Sequence, residues 1–542
     1  MSAIQAGRAA WFVPIGLAVA VIAAGGCGGG RSPEGTPGTR TFTPPTATAT
    51  IDPNSVTVSA SRSVATLAIA TETPVSTIPA ALDPEGPWLL GIGGEDRLVA
   101  LNPDGSGLTH LAHEPLWDSY PEVREGVELS GTGWIAVRTS ASRWPIPPTD
   151  ISLDLFQLPD VRPARRIPLF SQELVARMGQ IGEHRLPYEA EPVEGPNWRY
   201  EMVYLVVLAE RNPPRWSPDG RYLAFAAAMD GPSSDLYVYD TQTDQVRRLT
   251  DGPNQAAIMG WSPDSRWIIH VEASTYMIAD GGEIGGFPGD AVWAAAVDGS
   301  ELKRLYEPAR VEWILGWVAD TVFLVEGWSG YIFLHDLRSV DVATGAEQMH
   351  YSGKYYNSAL ASEAAVAVVD AVSDWRSEEE YFPGGLHLVP LDGGEPKQLR
   401  TGVQEFNARW LEWFPQLDRF FAGGFGSPYL FTSSGEITHT FEDERGRPAV
   451  SPDGSWLIFD EERERPGLRL YRSDGQLDRV ISEENAFNFV WLPDSSGLYY
   501  LVQAGDSNRL MVVSIPEAET VVLHPNPGLY RFVLVGRPKE SG

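Results

Sequence analysis

Side chains that could do chemistry are sparse in this sequence and widely spaced. Only two histidines, His110 and His113, lie close together, and on a β-strand this spacing puts their side chains on opposite faces. A metal or catalytic site would therefore need partners from distant segments. We expect core or surface roles for all the histidines: His110, His113, His184, His270, His335, His350, His387, His439 and His524.

Familiar catalytic motifs are missing as well. No Gly-x-Ser-x-Gly motif occurs, and the similar stretch Gly-Trp-Ser-Gly at 327–330 has the wrong spacing and precedes a predicted strand. A phosphate-binding loop and a dinucleotide fingerprint are also absent from the sequence. The carboxylates of Asp280, Glu283 and Asp290 in a glycine-rich segment could bind Ca²⁺, but the EF-hand spacing is absent, so a plain flexible loop is the alternative. We predict no catalytic, metal or cofactor residues.

A repeated tripeptide reveals the elements that must position any site. Ser-Pro-Asp occurs at 217–219, 262–264 and 451–453, each time before Gly or Ser, and a looser Leu-Pro-Asp occurs at 492–494. Proline presets φ for the first corner of a tight turn, and Asp-Gly tolerates positive φ. Each copy is followed by an apolar, strand-length run such as 221–226, so it predicts a turn between two antiparallel strands.

Four such strands recur every few dozen residues, which is typical of β-propeller blades. Eight turn positions are visible, and a ninth, partial unit at 88–111 lacks a first strand. The tail 529–535 has no blade of its own, so we expect its strand to complete the first blade and to close the ring. We predict an all-β propeller of four-stranded blades over 84–540, with eight blades favoured and seven to nine allowed.

The string Trp-Ser-Pro-Asp-Gly-Arg-Tyr-Leu-Ala-Phe at 216–225 resembles the repeat of TolB-like and WD-repeat-like bacterial propellers. A similar repeat occurs in the propeller domains of prolyl oligopeptidases and dipeptidyl peptidases. The resemblance implies a propeller fold and no catalytic residue, because propellers host many activities. We expect the repeated residues to build turns and blade packing. Since the repeat runs to about residue 540, we expect no fused peptidase domain.

Residues 1–27 resemble a bacterial lipoprotein signal peptide. An apolar stretch from Trp11 to Ala24 is short for a membrane span and ends in small residues before Cys27, the single cysteine of the chain. In lipoproteins this cysteine receives a diacylglycerol and becomes the new N-terminus, so we expect lipidation of Cys27. A simple cleaved signal or an uncleaved anchor is the alternative. Residues 28–83, rich in Thr, Pro and Ser, predict a disordered tether.

The charge balance is acidic: 41 Lys and Arg stand against 72 Asp and Glu, for a formal net charge of −31. This disfavours binding of nucleic acid and direct contact with anionic lipid. We therefore expect an extracytoplasmic monomer that reaches the cell membrane through the Cys27 lipid only. Its expected function is a non-enzymatic binding or scaffold module for a protein, peptide or glycan. The alternative is a hydrolase or lyase whose carboxylates or histidines converge at the central channel.

Interruptions of the repeat are the best places to look for function, because loops on a rigid scaffold often carry binding residues. The largest, the insertion 171–212, begins with a pattern that predicts a short capped helix near 172–181. We expect the insertion to cover one mouth of the propeller and to contact the partner, with an extra strand at 200–208 as the alternative. Two smaller insertions are the glycine-rich segment 276–290, which contains Asp280, Glu283 and Asp290, and an acidic segment at 374–385. The aromatic residues of the large insertion are Tyr188, Trp198, Tyr200 and Tyr204.

Overall fold

A computed structural model of the chain describes most residues from Ala81 to Val535. The predicted signal at 1–27, with Cys27, and the predicted tether up to residue 80 lie outside the described residues. The described residues are 81–93, 98–111, 127–130, 132–139, 151–181, 203, 206–207, 212–274, 277–278, 284–286, 289–308, 311–328, 334–362, 365–370, 386–400, 410–423, 427–442, 444, 446–459, 467–505, 507–515 and 517–535.

Nearly all regular elements of this part of the chain are β-strands. The first strands are β1 (Trp88–Gly93), β2 (Leu98–Leu101), β3 (Thr109–His110), β4 (Val127–Leu129), β5 (Trp134–Thr139), β6 (Ser152–Gln157) and β7 (Arg165–Pro168). The helix α1 (Gln172–Ile181) follows. Next come β8 (Arg215–Trp216), β9 (Tyr222–Ala227), β10 (Asp235–Asp240), β11 (Gln245–Arg248), β12 (Gln255–Trp261), β13 (Trp267–Ala273), β14 (Met277–Ile278), β15 (Ile284–Gly286), β16 (Ala291–Ala296) and β17 (Leu302–Tyr306).

The second half of the chain continues in the same way. Its strands are β18 (Val311–Ala319), β19 (Val322–Trp328), β20 (Leu334–Asp341), β21 (Glu347–Ser362), β22 (Ala365–Asp370), β23 (Leu386–Pro390), β24 (Lys397–Arg400), β25 (Trp410–Phe414), β26 (Arg419–Gly423) and β27 (Tyr429–Thr432). The last are β28 (Ile437–Thr440), β29 (Pro448–Val450), β30 (Trp456–Phe459), β31 (Leu468–Arg472), β32 (Leu477–Ser482), β33 (Ala486–Trp491), β34 (Gly497–Ala504), β35 (Ser507–Ser514), β36 (Thr520–His524) and β37 (Leu529–Val535). None of the helices in the described part of the chain has the length and apolarity needed to cross a membrane.

These strands form a β-propeller of nine four-stranded antiparallel blades. Blade 1 contains β37 and β1–β3, and blades 2 and 3 are β4–β7 and β8–β11. Blade 4 is β12, β13, β16 and β17, with β14 and β15 as a separate hairpin. The long strand β21 ends blade 5 (β18–β21) and also begins blade 6 (β21–β24), because its first half pairs with β20 and its second half with β22. Blades 7, 8 and 9 are β25–β28, β29–β32 and β33–β36.

The ring is closed by the C-terminal strand. β37 pairs antiparallel with β1, for example at Leu90 and Val533, and so becomes the innermost strand of blade 1. The predicted closure by the tail is confirmed. The blade number lies within the predicted range of seven to nine and is one above the favoured eight, because the partial unit at 88–111 becomes a full blade once β37 joins it.

The second strand of each blade is apolar on both faces because it packs against a blade on either side. In β9, Leu223 and Phe225 belong to a core shared with blade 2, whereas Ala224 belongs to a core shared with Ile258 and Ala295 of blade 4. This arrangement explains why the predicted strands read as continuous apolar runs in place of an alternating pattern.

The repeated tripeptide builds turns, as predicted. Ser217 Oγ donates to Asp219 Oδ1 over 2.5 Å and accepts from the Tyr222 backbone N–H over 2.9 Å. The neighbouring blades are joined at the same point, because the Asp219 N–H donates to Ser265 Oγ over 3.1 Å. Blades 8 and 9 repeat the contact, with Asp453 and Ser495 at 3.0 Å. Ser265 and Ser495 have positive φ angles of 60° and 61°. This turn conformation places each serine hydroxyl where it accepts a hydrogen bond from the preceding blade.

Successive connections alternate between the two ends of the ring, because the strands of each blade are antiparallel. One end, here called the turn end, carries the connections between first and second and between third and fourth strands. The longest connections there are 102–108 and 158–164. The opposite end, the loop end, carries all three predicted insertions, in the connections 169–214, 274–290 and 371–385. The insertions that interrupt the repeat therefore all leave the ring at the loop end.

Candidate functional site

The connection from β7 to β8 is bonded to blade 3 where it begins. The Ser171 N–H donates to the Ala228 carbonyl over 2.7 Å, and the Ala228 N–H donates to the Leu169 carbonyl over 2.8 Å. Ser171 Oγ then accepts from the Leu174 N–H over 3.1 Å, which caps the first turn of α1. Leu174 is buried between blades 2 and 3. The helix predicted near 172–181 is confirmed at Gln172–Ile181.

Further along the insertion, the described residues Val203, Val206 and Val207 have helical backbone and are fully buried. Their spacing of three and four residues places them on one face of a helix. Val203 and Val207 pack with Leu174 in the core of blades 2 and 3, and Val206 packs into the core between blades 4 and 5. At these three described residues the alternative of an extra strand at 200–208 is therefore wrong, because their backbone is helical.

Asn212 bonds the end of the insertion to two different blades. Its Oδ1 accepts from the Ile258 N–H of β12 over 2.8 Å, and its Nδ2 donates to the Val206 carbonyl over 2.9 Å. Its own carbonyl accepts from Arg138 Nη2 of β5 over 2.6 Å. The side chain is fully buried. Asn212 thus holds the insertion, blade 2 and blade 4 in one arrangement at the loop end.

The remaining predicted features of the loop end are only partly described. The aromatic residues Tyr188, Trp198, Tyr200 and Tyr204, and the acidic insertion 374–385, lie outside the described residues. Within 276–290, β14 and β15 form a hairpin, and Asp290 Oδ1 accepts from Ser274 Oγ over 3.1 Å. Asp280 and Glu283 are not described. Across the described ranges, no three His, Cys, Asp or Glu side chains are grouped closely enough to hold a metal ion.

Among the described histidines, two have notable surroundings. His270 of β13 is buried, and burial lowers the pKa of its imidazole to about 4, so the side chain is neutral in the core. His350 of β21 contacts Ser339 of β20 instead, with Nε2 and Oγ 2.8 Å apart. Burial lowers the pKa of His350 as well. The neutral ring lines a cleft between blades 5 and 6 that the sequence did not predict.

A packing contact that recurs in three other blades occupies the position where this cleft lies. The outermost strands of blades 4, 6 and 9 each have a β-bulge at a leucine, and the turn glycine of the next blade lies against it. At the junction of blades 9 and 1, a Cβ added at Gly105 would be 2.5 Å from the Leu523 carbonyl oxygen. The leucine and glycine pairs are Leu305 with Gly345, Leu399 with Gly435, and Leu523 with Gly105.

Blade 5 departs from this pattern at the same position. Its bulge residue is His350, because Leu337 pairs with Tyr351 and Arg338 with Met349. The turn glycine of blade 6, Gly393, lies nearest to the amide of Gln348. A cavity of about 400 Å³ remains, lined by Val318, Val322, Leu324, Ser339, Gln348, His350, Leu391 and Asp392. The signal was present in the sequence, as Glu-Gln-Met-His at 347–350 stands where blade 4 has Leu-Lys-Arg-Leu at 302–305.

The chain is similar to known proteins over a short stretch or at low sequence identity. No known protein-family profile matches the chain. The chain is 45% identical over 56 residues to the "Uncharacterized peptidase YuxL" of Bacillus subtilis, a match that covers 10% of this chain and 8% of that protein. Among solved structures, it is similar to a eukaryotic initiation factor, with a TM-score of 0.48 and 11% identity over 83% of this chain and 99% of that chain. It is also similar to dipeptidyl peptidase 4 of Porphyromonas gingivalis, with a TM-score of 0.43 and 11% identity over 73% of this chain and 59% of that chain.

Proposed function

We propose that this protein is a lipoprotein of the cell membrane, anchored through Cys27 and facing the extracytoplasmic side. Its propeller serves as a non-enzymatic binding or scaffold module for a protein, peptide or glycan. The observation that carries the proposal is the asymmetry of the ring. Short, hydrogen-bonded turns occupy one end, and the three insertions leave the ring at the other end.

The largest insertion is well suited to present a contact surface. Its beginning is bonded to Ala228, its middle is buried through Val203, Val206 and Val207, and its end is held by Asn212. A loop fixed at several points loses less conformational entropy when a partner binds, so more of the contact energy becomes affinity. Its aromatic residues are of the kind enriched in the cores of interfaces.

The anchor is tested by metabolic labelling with an alkyne fatty acid in a bacterial host. Wild type should be labelled and recovered with the membrane fraction, whereas Cys27→Ala should be unlabelled. Replacement of another residue of the tether, for example Thr48→Ala, is the matched control and should leave labelling unchanged. Equal labelling of wild type and Cys27→Ala would refute the lipid anchor.

The binding surface is tested by placing one photo-crosslinking amino acid at each end of the ring. Ala176 is exposed on α1 at the loop end, and Glu301 is exposed in a turn at the turn end. On intact cells, the probe at Ala176 should give a discrete adduct, and the probe at Glu301 should not. Identical adducts from both positions, or none from Ala176, would contradict a partner surface at the loop end.

A further inference from the structure

We propose that the cleft between blades 5 and 6 binds a small organic molecule that carries an apolar group and a primary ammonium group. The site lies at the turn end, away from the insertions. It is therefore separate from the proposed partner surface.

The cleft lies where blade 5 has a histidine at the outer-strand bulge that is a leucine in blades 4, 6 and 9. In blades 4, 6 and 9 the bulge residue is leucine, and it fills the space beneath the next blade's turn. His350 takes this position in blade 5, and its ring is held by Ser339 on the neighbouring strand. The His350 ring contacts Ser339, Gly393 lies nearest to the Gln348 amide, and the cavity lies beside these contacts.

The histidine has an energetic cost that a leucine would not have. Within the described part of the chain, its Nδ1 is buried and has no hydrogen-bond partner. An unsatisfied buried polar atom costs stability, so its presence in a native protein calls for an explanation. Ligand binding in the cleft that His350 shapes would account for its presence at a leucine position.

The lining residues define the chemistry of the ligand. Four aliphatic side chains form an apolar wall: Val318, Val322, Leu324 and Leu391. The polar side carries the Ser339 hydroxyl, the Gln348 side-chain amide and the Asp392 carboxylate. A primary ammonium group has three N–H donors and no acceptor, so it can bond to a hydroxyl oxygen and to a carboxylate at the same time. The combination suits an apolar body with a single ammonium head.

Charge favours the same ligand class. Asp392 is exposed and is the one charged side chain among the described residues that line the cleft. The neutral ring of His350 does not repel a cation. The net charge of −31 also attracts cations to the protein surface from a distance. An organic anion would meet a carboxylate at the cleft and an unfavourable field on the way to it.

The test compares three probes of the same shape by saturation-transfer NMR on the full chain at pH 7.5: benzylamine, benzyl alcohol and benzoate. Wild type should bind benzylamine at least fivefold more tightly than benzyl alcohol, and benzoate most weakly. His350→Leu introduces the residue found at the bulges of blades 4, 6 and 9, so the variant should fold. It should weaken benzylamine binding at least tenfold. His439→Leu, the same change on the outermost strand of blade 7, is the matched control and should bind as wild type does.

Asp392→Asn changes an exposed side chain and gives a second test of the ligand class if His350→Leu does not fold. This variant should bind benzylamine and benzyl alcohol equally. The proposal is overturned if wild type does not bind benzylamine or binds benzoate as tightly. It is also overturned if a folded His350→Leu binds benzylamine like wild type, or if Asp392→Asn keeps the preference for benzylamine.

Discussion

Replacing Gly105 by alanine should weaken the junction that closes the ring. Gly105 has a φ of 82°, in the left-handed region where an alanine costs about 1–2 kcal/mol. The added Cβ would also lie 2.5 Å from the Leu523 carbonyl oxygen and 2.8 Å from its carbon. Both are backbone atoms, so blade 1 must move away from blade 9. Overpacking of this kind costs about 1–3 kcal/mol. We therefore expect Gly105→Ala to lower the free energy of unfolding by about 2–5 kcal/mol.

Gly133 provides the control that separates backbone strain from contact. Its φ is 79°, but an added Cβ would have no neighbour within 4 Å among the described residues. Gly133→Ala should therefore cost the backbone term alone, about 1–2 kcal/mol. Urea denaturation followed by tryptophan fluorescence gives the two losses. Hydrogen exchange should show faster opening of the β1 and β37 amides in Gly105→Ala only. Equal losses and unchanged exchange at this junction would show that the contact does not hold the ring closed.

Two further predictions concern buried polar groups. The folded chain protonates His270 near pH 4 and the unfolded chain near pH 6.5, so the free energy of unfolding should fall by about 2 kcal/mol between pH 6.5 and pH 5. His270→Leu should lose this part of the pH dependence in urea titrations, and an unchanged slope would contradict a buried neutral imidazole. Asn212→Ala would leave the Ile258 N–H and the Val206 carbonyl without this partner, so urea denaturation should show a loss of about 2–5 kcal/mol. A loss below about 1 kcal/mol would mean that water or a shifted backbone replaces the amide.

Local signals allowed much of the fold to be predicted. The tripeptide at 217–219 is followed directly by an apolar run. The turn and the strand each depend on residues that are close in sequence, so both can be predicted from the sequence. The helix after Ser171 could be predicted for the same reason, because the capping Ser171 hydroxyl accepts a hydrogen bond from the N–H of Leu174, three residues later. Ring closure by 529–535 followed from the missing strand of the first unit.

The sequence could not settle features that depend on distant partners. The run around Val203, Val206 and Val207 fits a strand or a helix by composition, and burial against two cores decides for helix. Asn212 looks like an ordinary loop residue, but it is bonded to β5 and β12.

The cleft between blades 5 and 6 also depends on residues that are distant in sequence. The sequence by itself determined that four-stranded units repeat along the chain and that the tail completes the first unit, because these properties arise from neighbouring residues. Tertiary structure alone decided that the insertions share one end of the ring and that His350, Ser339 and Asp392 line one cavity. The physical reason is that the cavity is lined by residues from two blades. Whether such a space is filled depends on how the outer strand of one blade packs against the turn of the next blade.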